Sequence, residues 1–295
     1  MRITHVVRGN EYLSSTPKYN LLYEAFGWEI PTYIHCPPIM KDAHQKLSKR
    51  NGDASFLDLV DKGYLVEAIL NYIALLGWSP RGNEEFFTLK ELEREFTLEG
   101  LSKSPAIFDI EKLRWMNGEY IRRMSPEDFA KAADKWLLEG LGEKLYADKN
   151  TVAKIAGLVQ QRTVILSDIP ERIGFLKQLP GYDTAIYSHK KMKTDEAISL
   201  CSLKLTLGFV NNYGGEWISG DIYAGLCELA AANGLKNSQI LWPLRTALSG
   251  MEVSPGGATE LAEILGREET VSRIEKGIAL LSEKLPEPAE TKAEE

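Results

Sequence analysis

From Tyr64 onward the apolar positions settle into a helical rhythm. Leu65, Ala68, Ile69, Tyr72, Ile73 and Leu76 fall at i, i+3, i+4, i+7, i+8 and i+11, one continuous apolar face. Gly77 is a natural stop, and Ser79-Pro80 blocks continuation. Thr88-Leu89-Lys90-Glu91 has the form of a capping box, in which hydroxyl and carboxylate each satisfy a free backbone N–H. It predicts a helix with Leu92 and Phe96 on its inner face. Ser125-Pro126-Glu127-Asp128 predicts another, carrying Phe129, Ala133, Trp136 and Leu137. Beyond about residue 150, period-two alternation nearly vanishes. Helices are expected over 151–166, 195–209, 220–232, 238–248, 259–265 and 268–281, punctuated by Asn233-Gly234 and Ser249-Gly250. This half reads as an all-helical bundle or cage, with a disordered, proline- and glutamate-rich tail over 286–295.

The first sixty residues follow another pattern. Ile3-Thr4-His5-Val6-Val7 reads as a short β-branched strand running into Arg8-Gly9-Asn10-Glu11. Ser14-Ser15-Thr16-Pro17 predicts a helix start, with Tyr19, Leu22, Tyr23 and Phe26 at helical spacing and Gly27 as its stop. Thr32-Tyr33-Ile34-His35-Cys36 reads as a second strand, ended by Pro37-Pro38. Two strands are too few for a covered parallel sheet. Either they pair locally or the chain starts within a domain, and the second is the expectation.

Composition narrows the classes. A chain of 295 residues, 44% hydrophobic and 26% charged, suits a globular protein of two or more domains. It holds no apolar run of eighteen residues and no signal-peptide pattern at its start, so no membrane partner is expected. Cys36, Cys201 and Cys227 are far apart and form no Cys-x-x-Cys pair. Neither a disulfide framework nor protein-bound zinc is expected, and a reducing cytoplasm fits best. The net charge of −7 argues against coating nucleic acid through bulk charge. A local basic groove survives that argument, because screening lets patches act separately. Lys41 to Arg50 and His189 to Lys193 are such clusters, although blocks of like charge are usually solvated.

Two places carry chemistry. In Lys46-Leu47-Ser48-Lys49-Arg50, two lysines flank a serine in a loop next to Gly52, a set suited to a polyphosphate. Fixed ammonium groups can neutralise charge building on a phosphoryl group. Alone the signal is weak, since Lys-x-Ser-Lys arises by chance in roughly one chain of this length in fifteen. Arg8 ends a strand beside a glycine, where open α/β sheets place ligands, and its fork matches a carboxylate. An ion pair with Glu11 or another surface acid is the competing reading.

The run from Ile3 to Pro17, with Leu22-Tyr23-Glu24-Ala25-Phe26-Gly27-Trp28, resembles the second half of the nucleotide fold of bacterial-type glutamyl-tRNA synthetases, a class I family. Lys46 to Arg50 resembles that family's signature loop. Gly63 to Tyr72, Ala74 to Ser79 and Phe108 to Asn117 match in order, as do Leu241-Trp242-Pro243-Leu244-Arg245 and Ser254-Pro255-Gly256-Gly257 near the end. The resemblance implies a mainly α chain. Part of a Rossmann-type domain (1–62) would precede a helical stem-contact region (63–150) and an anticodon-binding helical cage (151–285).

It also implies roles. Arg8 would hold a carboxylate of glutamate, and Glu11 and Tyr12 would line the ATP and amino-acid site. Lys46, Ser48 and Lys49 would contact ATP, with Lys46 and Lys49 as the catalytic lysines and Mg2+ carried by the nucleotide. Arg50 would contact phosphate of ATP or of tRNA(Glu), and Arg162 would touch a tRNA base, with a solvent-facing helix arginine as its competing reading. Glutamate would be activated as an adenylate and passed to the tRNA, by a protein expected to be a monomer. One departure matters. The family also needs a His-x-Gly-His element, and no two of His5, His35, His44 and His189 lie within three residues of each other. The chain therefore reads as the C-terminal two-thirds of such an enzyme, keeping one of two catalytic clamps. It is expected not to aminoacylate without the absent half, a possible partner. A non-catalytic tRNA-binding module is the alternative. Bacterial glutaminyl enzymes, with β-barrels after the catalytic region, fit the helical C-terminal half less well.

Overall fold

His5–Gly9 forms β1 and Thr32–Cys36 forms β2, and the two pair in parallel from His5↔Thr32 to Gly9↔Cys36. The crossover is a 3-10 turn, Asn10–Ser15, followed by helix α1, Thr16–Ala25, with Pro17 in its first turn. Gly27, at φ 67, turns the chain back, and Phe26 and Trp28 stack at 4.8 Å. The strands thus do pair locally, and no third strand joins them among the described residues. Those residues, in this computed structural model, are 2–47 and 55–285. The call of a disordered tail over 286–295 lies outside them. Neither α1 nor the 3-10 turn has a buried residue, so this end of the chain exposes apolar side chains such as Val7, Leu22 and Trp28.

Two compact units divide the chain: residues 1–123 with 164–166, and residues 124–163 with 167–295. In the first, strand β3 (Ile39–Met40) pairs in parallel with β4 (Ala106–Ile107). Between and after them come α2 (Phe56–Asp61), α3 (Val66–Gly77), α4 (Leu89–Glu95) and α5 (Ile110–Arg123). Leu59, Tyr64, Ile69, Tyr72, Leu113, Met116 and Ile165 form the core. The α3 face differs from the apolar periodicity at two positions. Ile73 is 44% exposed, whereas Asn71 is fully buried. Burial of Asn71 is possible because both ends of its amide are bonded: it donates to the Glu85 carbonyl (2.9 Å) and accepts from Phe87 N (2.6 Å) and the Tyr120 hydroxyl (2.7 Å). Asn117 likewise accepts from Leu65 N and donates to the Val164 carbonyl, which holds residues 164–166 in this unit. The helix expected over 151–166 therefore ends early, at Gln160.

The second unit is helical among its described residues: α6 (Pro126–Ala132), α7 (Asp134–Tyr146), α8 (Lys149–Gln160), α9 (Ile169–Lys177), α10 (Glu196–Asn212), α11 (Ser219–Ala232), α12 (Asn237–Ser249) and α13 (Ala258–Lys284). The single helix expected from Ser125 to Leu137 is two, α6 and α7, joined at Ala133. The break expected between 265 and 268 is Gly266, at φ 77 inside α13. Arg273 of α13 is 2% exposed and donates to the carbonyls of Phe175 (2.8 Å) and Leu248 (2.6 Å), at the C-terminal ends of α9 and α12. Among the described residues no helix is long and apolar enough to cross a membrane.

Candidate functional site

Arg8 lies at the C-terminal end of β1, half-buried, with three tyrosine rings around its guanidinium: Tyr33 at 4.9 Å, Tyr12 at 5.2 Å and Tyr19 at 5.3 Å. Such rings attract a cation through their negative faces and hold the head in place. Arg8 donates from Nη2 to Thr16 Oγ1 (2.6 Å) and from Nε to His35 Nε2 (3.3 Å). Among the described residues it has no ion pair, so the surface-acid alternative is not realised. Of its five donors, three stay available to an anion. Glu11 and Tyr12 sit in the turn directly after β1. The Glu11 carboxylate folds over Gly9, where a Cβ would meet Oε2 at 2.2 Å, so a larger residue there would push this carboxylate aside.

Lys46 follows from the same ends of the sheet. After β2 and Pro37-Pro38 the chain runs through β3 and a tight turn. Asp42 Oδ1 accepts from His44 N (2.8 Å) and Gln45 N (2.9 Å), which holds the Asp42 carboxyl below its ordinary range. The return arm pairs Lys46 antiparallel with Met40, and Leu47 N donates to the Ile39 carbonyl (3.0 Å). The Lys46 residue is thereby fixed through its backbone and exposed. Ser48, Lys49 and Arg50 lie outside the described residues. No hydrogen bond or ion pair joins Arg8 to Lys46 among the described residues.

A second site lies in the helical unit. Met192, Tyr223, Trp242, Arg245 and the first turn of α13 (257–260) line a cavity of about 540 Å³, within the range of ligand sites. Trp242 has the His189 ring tilted against it at 4.2 Å and the Arg245 guanidinium over its ring at 4.3 Å. Its indole N–H donates to the Ile186 carbonyl (3.2 Å). Arg245 is tied to Glu252 O (2.7 Å) and Ser254 Oγ (3.0 Å). Burial, and then neighbouring Arg162, lower its pKa. Arg162, itself exposed, donates to the Ser254 carbonyl (2.6 Å). Two arginines thus converge on one residue of the 254–257 loop. An aromatic ring backed by an arginine, with polar loop groups at hand, is a surface on which an unstacked base can lie. The sequence offered Arg162 as a base contact, against a solvent-facing helix arginine, and assigned nothing to Trp242, Arg245 or His189. The only available signal was the aromatic–arginine pair in Leu241–Arg245.

Comparison with known proteins covers both stretches of the chain. The family described as anticodon binding domain matches residues 128–278, and tRNA synthetases class I (E and Q), catalytic domain, matches residues 1–115. The chain belongs to the class I (E and Q) tRNA synthetases. Arg8, Glu11, Tyr12 and Lys46 fall in the synthetase catalytic match, and Arg162, Trp242 and Arg245 in the anticodon-binding match. A glutamate–tRNA ligase of Clostridium acetobutylicum is 54% identical over 281 residues, covering 95% of this chain and 57% of that protein. That of Clostridium novyi is also 54% identical, covering 96% and 58%. A crystal structure of a glutamate tRNA ligase from Elizabethkingia meningosepticum, in complex with its amino acid, superposes with a TM-score of 0.81 at 33% identity, over 95% of this chain and 58% of that one. The chain thus spans less than two-thirds of the length of these synthetases.

Proposed function

We propose that this chain serves glutamate–tRNA ligation: ATP-dependent activation of glutamate and its transfer to tRNA(Glu). The reading rests on one observation. A carboxylate-ready arginine in the catalytic match and an arginine–tryptophan cavity in the anticodon match occur in the same chain. Arg8 holds a glutamate carboxylate through its free donors, with Glu11 and Tyr12 beside it at the nucleotide. Lys46, joined by Ser48 and Lys49, neutralises the ATP phosphates, and Arg50 contacts phosphate of ATP or tRNA. Mg2+ arrives on the nucleotide. Among the described residues no three His, Cys, Asp or Glu side chains converge to hold a metal of their own. Trp242 and Arg245 take an anticodon base, with Arg162 as a second contact.

The anticodon-binding match over residues 128–278 carries a second reading, a tRNA-binding module without chemistry of its own. Binding to tRNA(Glu), and to the same tRNA with a changed anticodon, tests the first half of the proposal at low and moderate salt. A preference for the native anticodon that survives moderate salt is expected. Equal, weak binding that vanishes with salt would leave only non-specific phosphate contacts and defeat it. Glutamate-dependent exchange of pyrophosphate into ATP, measured with a His-x-Gly-His half of a related synthetase supplied in trans, separates the readings: exchange supports ligation, and its absence supports the module. With one clamp, the chain alone is expected to show none.

A further inference from the structure

The Arg8 head is held by a residue that carries no role so far. The guanidinium has two hydrogen-bonding edges. Its side-on edge, Nε–H with Nη2–H, is taken up by His35 Nε2 (3.3 Å) and Thr16 Oγ1 (2.6 Å). The end-on fork of Nη1 and Nη2 is left for an anion, in the geometry that suits a carboxylate. An arginine can only donate, so His35 Nε2 must present its lone pair. The imidazole is then neutral and carries its proton on Nδ1. Thr16 has one hydroxyl proton and two possible acceptors, the Tyr12 carbonyl at 2.9 Å and His35 Nε2 at 3.3 Å. The shorter contact takes it, which leaves the imidazole lone pair to Arg8. Register fixes the arrangement, because Arg8 and His35 are direct partners across the parallel β1–β2 pair. Tyr33, two residues before His35 on the same strand, stacks on the imidazole at 6.2 Å and on Arg8 at 4.9 Å.

We propose that His35 is a positioning residue: its Nδ1-protonated, neutral imidazole accepts the Arg8 Nε–H and aims the free end-on fork at an incoming carboxylate. The inference rests on the reading of Arg8 as the carboxylate holder. It goes beyond that reading by naming the group that orients the arginine and the tautomer it needs.

Long-range proton–nitrogen correlation on the isotope-labelled full chain reads both rings and side chains without any ligand. Nε2 of His35 is expected to be unprotonated, and the Arg8 Nε–H to be resolved and slow to exchange with water. His35→Leu should speed that exchange roughly tenfold, the effect of losing one hydrogen bond to a charged group. His35→Gln, which can offer an oxygen near the place of Nε2, should restore it. A proton on Nε2, or Arg8 exchange unchanged in His35→Leu, overturns the proposal. Glutamate is then titrated into each form. Movement of the Arg8 signals in the unaltered chain and in His35→Gln, weakened in His35→Leu, supports it. Equal movement in all three overturns it. If glutamate leaves Arg8 unmoved even in the unaltered chain, the carboxylate reading of Arg8 fails, while the tautomer and exchange results still decide the role of His35.

Discussion

Arg273 carries a full charge at 2% exposure, in a unit whose other buried polar side chains, such as Ser199, Thr206 and Thr246, are neutral. Its partners explain why it is tolerated. Nε meets Glu269 Oε1 at 2.7 Å, and Nη1 fills the ends of α9 and α12, where carbonyls lack helical partners and the helix dipole is negative. Arg273→Met would keep much of the volume and leave these carbonyls unsatisfied. A loss of about 3 kcal/mol in urea unfolding is expected, with Arg273→Lys falling between because lysine lacks the Nε–H that meets Glu269. Tyr72 gives a pH signature. Its hydroxyl accepts from Asp109 N and donates to Asp109 O, and burial pushes the phenol up to about 12. The folded state therefore holds the proton more tightly than the unfolded chain. The stabilisation is complete below pH 10 and lost as pH rises toward 12. Tyr72→Phe should flatten that part of the stability–pH curve, and unchanged steepness would contradict the assignment. Neither residue's role was legible in the sequence, where Arg273 is one polar position in a long helix and Tyr72 one more apolar one. The place of Arg8 at the end of a strand was legible, because the β-branched run Ile3 to Val7 stops at Arg8-Gly9. His35, 27 residues away, becomes its partner only through strand register.

Helix termini were read more reliably than helix interiors. Thr88 and Glu91 form the capping box their spacing announced, with Glu91 N donating to Thr88 Oγ1 and Thr88 N to Glu91 Oε2. Gly250 ends α12 in the left-handed region at φ 64, and a Cβ there would lie 2.8 Å from Tyr182 Cδ1. Gly250→Ala meets both the strain and the clash. It should cost about 1–3 kcal/mol, seen as a lowered thermal midpoint, whereas Gly234→Ala, equally left-handed at φ 64 but with open space around it, should cost less. What the pattern missed at this scale has a common cause. β3 and β4 are two residues each, too short for any period, and exist only because Ile39 and Ala106 meet. Helix α9 was hidden by its length, with Pro170 and Gly174 interrupting nine residues. The apolar run Val164-Ile165-Leu166 looked like a continuation of α8, and only the tertiary partner Asn117 shows that it belongs elsewhere.

Across the whole molecule the net charge of −7 limits what phosphate attraction alone can do. An acidic protein that selects a tRNA must draw discrimination from contacts with bases. In the proposed function the cavity beside Trp242 supplies them, yet its walls come from residues 192, 223, 238, 241, 242, 245 and 257–260, so no single local motif could announce it. Trp242→Ala separates the two components. Stacking one base on an aromatic ring contributes roughly 1–3 kcal/mol, or about five- to 150-fold in affinity. The substitution should therefore reduce binding to native tRNA(Glu) by a factor in that range and leave binding to the changed-anticodon tRNA nearly as it was. Because Trp242 touches no phosphate in this scheme, the slope of log affinity against log salt should be the same before and after. An equal fall for both tRNAs, or a changed salt slope, would mean that the cavity acts through the backbone. Trp242 would then be a scaffold for Arg245 and His189, with the reading of the anticodon done elsewhere on the helical unit.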